Sequence, residues 1–127
     1  MAKNKEQYGV EKNKAIIIDL LGSDYKAIVC WGSKKFVDGI AVEWGYKSGI
    51  VEIGDEDNAC IYNYHGLQSI IILKEPPKTP LIIGALAHEA DHLVDDIFEY
   101  IGEKPQLGSE IHAYLVARIV EQTLKYS

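Results

Sequence analysis

Two histidines four residues apart, with a glutamate beside the first, form the segment His88-Glu89-Ala90-Asp91-His92. On a helix, residues i and i+4 project from the same side about one turn apart. His88 and His92 can therefore offer two imidazoles to one metal ion. Glu89 then falls where it addresses a metal-bound water rather than the ion itself. Chance places such a pattern in well under ~1% of chains of this length at ordinary residue frequencies. The plain alternative is a solvated helix face in which Asp91, Asp95 and Asp96 are ordinary surface carboxylates.

The chemistry requires a helix, and the sequence around the motif supplies one. Thr79 suits an N-cap, Pro80 the first helical position, and Gly102 the stop. Between them Ile83, Leu86, Ala90, Val94, Ile97 and Ile101 recur at helical spacing and form one apolar stripe. A second helix opens at residues 109–110, with Ile111, Leu115 and Ile119 as its partner face. The link over 103–108 is short, so the two helices pack as neighbours. Glu110, 18 residues beyond His92, can then bring a carboxylate to the two imidazoles. Its other explanation is the helix dipole, which favours an acidic residue in any first turn. The motif mechanics favour zinc held by His88, His92 and Glu110.

These residues resemble the gluzincin branch of zinc metallopeptidases, closest to its minimal single-domain forms and to small metallopeptidases of phage and prophage genomes. The likeness is carried by Leu86-Ala87-His88-Glu89-Ala90-Asp91-His92 and by Glu110-Ile111-His112-Ala113-Tyr114-Leu115, and it covers roughly residues 58–120. The peptidases that cleave phage-type repressors share the same opening of the second helix. The resemblance implies a zincin-like fold, Zn²⁺ as cofactor, and a peptide or protein substrate. It also implies an edge strand, read as 69–73, that pairs with the extended substrate backbone; its alternative is an interior strand, since Ile70-Ile71-Ile72-Leu73 is apolar on both faces. One departure is Tyr114, where larger gluzincins carry an Asp four residues after the glutamate ligand.

Composition bounds the rest. The chain has 127 residues, 47% of them hydrophobic, which suffices for one core; 14–127 reads as a single domain behind a polar tail at 1–13. A net charge of −6 argues against a nucleic-acid surface, and Lys3, Lys5, Lys12 and Lys14 make only a small basic cluster. No secretion signal or membrane-length apolar run is visible, so a cytoplasmic protein is expected, bacterial or viral inside its host. Cys30 and Cys60 belong to no CxxC pair and read as reduced thiols.

The first half reads as the support. Residues 15–21 and 26–31 are β-branched-rich runs expected to pair as strands. Ser33 caps a helix carrying Phe36, Val37, Ile40, Ala41 and Trp44, ending near Gly45; Asp38-Gly39 would instead allow a hairpin. The acidic loop 54–58 lacks EF-hand spacing and reads as solvated. Residues 59–64 and 68–74 form an antiparallel hairpin, and Pro76-Pro77 ends its ladder before the metal helix. The expected fold class is α+β: a small sheet with an N-terminal helix, packed on two C-terminal helices.

In the catalytic reading Glu89 is the general base, and Tyr114, one turn after Glu110, supports a ligand or donates to the oxyanion. Asp95 or Asp96 could orient an imidazole through its second nitrogen. His112 points away from Glu110 and is not counted as a ligand. Only 17 residues follow Glu110, leaving no room for the further subdomain of larger gluzincins. Tyr64 and His65 are candidate substitutes for its oxyanion donor. A homo-oligomer or a partner could complete the cleft. The competing reading is a non-catalytic, zinc-stabilised binding protein of phage or prophage origin.

Overall fold

The computed structural model describes residues 13–20, 25–63, 68–100 and 110–127. All but Asn13 of the expected tail at 1–13, the turn residues Tyr64 and His65, and the Gly102 stop lie outside them. The chain is α+β, in the order β1 (Lys14–Asp19), β2 (Lys26–Trp31), α1 (Lys34–Glu43), β3 (Ala59–Tyr62), β4 (Gln68–Leu73), α2 (Pro80–Tyr100) and α3 (Glu110–Tyr126). The four strands make one mixed sheet in the order β1-β2-β4-β3. β1 pairs antiparallel with β2, β3 antiparallel with β4, and the central β2–β4 pair is parallel. A parallel pair needs a crossover, and α1 lies on that connection.

Strand alternation divides the apolar residues between two layers. Val29, Ile71 and Leu73 face α2 and α3, whereas Ile28, Cys30, Ile70 and Ile72 face α1. This overturns the expectation that residues 69–73 form an edge strand. Ser69 through Leu73 are all fully buried, and β4 is interior because its run is apolar on both faces. The edge beside it is β3.

Local signals explain most helix positions. Ser33 accepts a hydrogen bond from the Phe36 N–H at 3.1 Å, which makes α1 a capped helix rather than a hairpin. Gly45, at φ 99°, follows its C-cap Trp44. Asp38 then accepts from the Gly49 N–H at 2.7 Å and the Ser48 hydroxyl at 2.6 Å, and these two bonds hold its carboxyl below the usual value. This pins the following segment so that Val51 and Ile53 close the α1 layer, while Gly54 through Asp57 stay exposed. The acidic loop at 54–58 is thus solvated as expected, with Asn58 only partly covered.

α2 starts as expected, with the Ile82 N–H donating to Thr79 Oγ1 at 3.3 Å. Its buried set is Ile82, Leu86, Ala90, Leu93, Val94, Ile97 and Phe98. That stripe is wider than the one read from spacing because α2 meets both the sheet and α3. α3 buries Leu115, Ile119 and Thr123, and Arg118 Nε donates to the Asp19 carbonyl of β1 at 2.7 Å. Ile111 stays 60% exposed and does not join the partner face.

Cys30 and Cys60 are free thiols. Both stand opposite Ile72, on either side of β4, so two strand spacings of roughly 9–10 Å separate them. A disulfide requires Cα atoms within about 7 Å. Burial pushes both thiols up to about 12. No described helix is long and apolar enough to cross a membrane.

Candidate metal centre

The phase of α2 decides what its outer surface presents. Once Leu86, Ala90, Leu93 and Ile97 are committed to the core, His88, Asp91, His92 and Asp95 must fall on the opposite side. All four are exposed. The imidazoles of His88 and His92 stand edge to face, with ring centroids 4.6 Å apart and Nε2 atoms 3.2 Å apart. Two nitrogens about 2.0–2.1 Å from one tetrahedral zinc would be separated by roughly 3.3–3.4 Å. The helix thus presents two Nε2 atoms at nearly the separation one zinc requires. As neutral ligands both rings would carry their protons on Nδ1.

Glu89 sits on the flank of α2 that faces β3 and is half-buried. Burial pushes its carboxyl above the ordinary value; His88 and His92 pull it down, and Asp57 of the acidic loop adds to the rise. A carboxylate poised this way takes up a proton more readily than a fully solvated one. Asp96 lies on the same flank. Burial raises its carboxyl, as do Glu99 and Asp95, while a hydrogen bond from Asn63 and the proximity of His92 lower it.

The third expected ligand is placed differently. Glu110 is the first residue of α3 and is exposed. It lies nine residues before Ile119, which at about 100° per residue is half a turn from the buried stripe. Tyr114 shares this outward side and is 63% exposed. Among the described residues, the group of three potential ligands with donor atoms within 4.8 Å of one another is Asp91, Asp95 and His112. Glu110 does not join His88 and His92 within that reach.

His112, set aside in the sequence reading, is the residue that α3 turns toward α2. Its Nε2 stands 2.8 Å from Asp95 Oδ1 and 3.6 Å from Asp91 Oδ1, and its ring stacks on Phe98 at 5.8 Å. The helical phase carried the signal: His112 precedes Leu115 by three residues and Ile119 by seven, which puts all three on one face. Asp95 therefore orients an imidazole, but that of His112 rather than a histidine of the motif.

No family model, curated protein or solved structure matches this chain. The chemistry of the centre is therefore argued from its own residues.

Proposed function

We propose that this chain is a zinc-dependent peptidase, in which His88 and His92 hold the ion and Glu89 moves the proton. The observation that supports it best is the 3.2 Å Nε2–Nε2 separation on an exposed helix face, with the half-buried Glu89 on its flank. When bound, zinc lowers the pKa of a coordinated water toward about 7 and polarises a carbonyl oxygen. A Glu89 carboxylate oxygen accepts the proton of the attacking water and passes it to the leaving amine. Its half-burial suits this traffic, since burial raises the carboxyl above its ordinary value and so favours proton uptake more than full solvation would.

Glu110 is the proposed third ligand. That role requires the first turn of α3 to swing its carboxylate toward α2. Tyr114 would move with it and reach the substrate side. Among the described residues β3 pairs with β4 alone, and it packs against α2, so an extended substrate backbone adding as a further strand at its other edge would lie beside that helix. A mixed library of extended peptides is therefore the appropriate first substrate. Cleavage by the wild type that chelator abolishes and zinc restores is expected. Cleavage indifferent to both would rule out the zinc peptidase.

The second reading, a zinc-stabilised binding protein, is favoured by one observation. Glu110 and Tyr114 lie on the outward side of α3, away from the histidine pair. Under that reading zinc is held but no library member is cut.

A further inference from the structure

β1 ends the sheet on the side away from β3, and no described strand lies beyond it. Its hydrogen-bond phase can be read from its last turn. The Leu20 N–H donates to the Tyr25 carbonyl at 2.8 Å, and the β1–β2 register runs back from there through Asp19 opposite Lys26 and Ile18 opposite Ala27. Bonded and non-bonded pairs alternate along an antiparallel ladder. Lys14, Ile16 and Ile18 therefore turn their backbone groups toward β2, while Ala15, Ile17 and Asp19 turn theirs outward. In keeping with this phase, the Asp19 carbonyl is the one that Arg118 Nε of α3 reaches, at 2.7 Å.

The side chains follow the same alternation. Ile16 and Ile18 are buried in the layer under α2 and α3, whereas Ala15 packs partly into the α1 layer, so Ile17 and Asp19 share that face. Ile17 is 59% exposed there, in the middle of the strand. Natural edges are usually blunted by proline, a bulge or a mid-strand charge. Lys14–Asp19 has no proline or glycine and carries charge only at its two ends. The start of β1 lies beside the N-terminal end of α1, because Asn13 Oδ1 accepts from the Ser33 N–H at 2.9 Å. Asn13, Lys35, Phe36 and Ile40 line an open groove at that end.

We propose that the β1 edge is the interface for a second copy of this chain, the two β1 strands pairing antiparallel about a two-fold axis at Ile17. Such an axis stands perpendicular to the sheet, so it pairs residues that share a face. Centred on Ile17, it sets Ile17 opposite Ile17 and Ala15 opposite Asp19 of the second copy. These are the three residues whose backbone groups point outward, and they exchange about six hydrogen bonds. The edge is thus complementary to itself in this register, and the pairing covers the apolar Ile17 with its own counterpart. It also brings the Asp19 carboxylate of one copy toward the end of α1 that carries Lys35 in the other, and does so twice. The result is one continuous eight-stranded sheet, counting four strands from each copy. The proposal does not depend on the metal reading, since β1 and β3 are opposite edges and α2 packs on the β3 side.

The test is sedimentation of the full chain over a range of concentrations, for wild type, Ile17→Lys and Leu81→Lys, with residue-resolved amide exchange of the wild type. The wild type is expected at twice the 14.2 kDa of one chain, dissociating on dilution. Ile17→Lys should sediment as a monomer with its urea midpoint unchanged, because it sets two like charges against each other at the axis. Leu81, which is 65% exposed on α2, is the control, and Leu81→Lys should remain a dimer. The amides of Ala15, Ile17 and Asp19 should exchange slowly in the dimer and fast on dilution, whereas those of Ile16 and Ile18 stay slow throughout. This pattern is read on the wild type and so stands even if Ile17→Lys fails to fold. A wild type that is monomeric at every concentration would overturn the proposal. A dimer that survives Ile17→Lys, or slow exchange at Ala15, Ile17 and Asp19 that does not respond to dilution, would overturn it as well, placing the contact elsewhere or another segment of the same chain on the edge.

Discussion

Replacing Glu89 by Gln is expected to lower peptide hydrolysis by roughly 10²–10⁴-fold while leaving zinc binding and folding near wild type. The change removes a proton acceptor and keeps the side chain's size. The loss should lie toward the upper end, because the same carboxyl serves as base for the water and as acid for the amine. Stability should change little. Glu89 is only half-buried, and the raised position of its carboxyl means that its charged form is not favoured by the fold. Activity of the purified variant, read beside its zinc content and urea midpoint, separates the two effects. If Glu89→Gln cleaves as fast as wild type, the activity belongs to another base or to a contaminant.

Ile119→Ala is expected to destabilise the chain by about 2–5 kcal/mol, whereas Ile111→Ala should cost about 0.5 kcal/mol or less. Ile119 has no exposed surface and packs in the layer shared by α2, α3 and the sheet. Truncating it leaves a cavity where α3 meets that layer. Ile111, eight residues earlier, is 60% exposed and has little burial to lose. A loss of a few kcal/mol is a large share of a small domain's usual stability of about 5–15 kcal/mol. Urea unfolding of both variants checks the contrast. Equal losses would mean that the first turn of α3 packs as firmly as its middle, contrary to the burial described.

The same two residues show what the sequence made legible. Helix starts were readable because their signals are local: Ser33 and Thr79 both accept the hydrogen bonds expected of N-caps. The β3–β4 hairpin was legible from two apolar runs separated by a short turn, and the α2 phase followed from its apolar spacing. Sheet order was not, because it depends on which strands meet across long stretches of chain. Ile70 through Leu73 were apolar on both faces, which signals an interior strand, and the edge assignment came instead from family likeness. At the centre, the closeness of His88 and His92 was a matter of helical period alone, and their Nε2 atoms stand 3.2 Å apart. The place of Glu110 depends on how α3 rotates as it meets α2. Leu115, Ile119 and His112 set that rotation, and their common phase turns Glu110 outward. Asn63 carried no signal of its own, since its hydrogen bond from Ser69 arises only when the hairpin register brings the two level.

The most direct measurement is the zinc content of protein purified without chelator, for wild type, His92→Ala and Glu110→Ala. One zinc per chain is expected in the wild type, none in His92→Ala, and weakened retention in Glu110→Ala. A wild-type protein without zinc, or a His92→Ala variant that keeps it, would contradict a metal centre on α2.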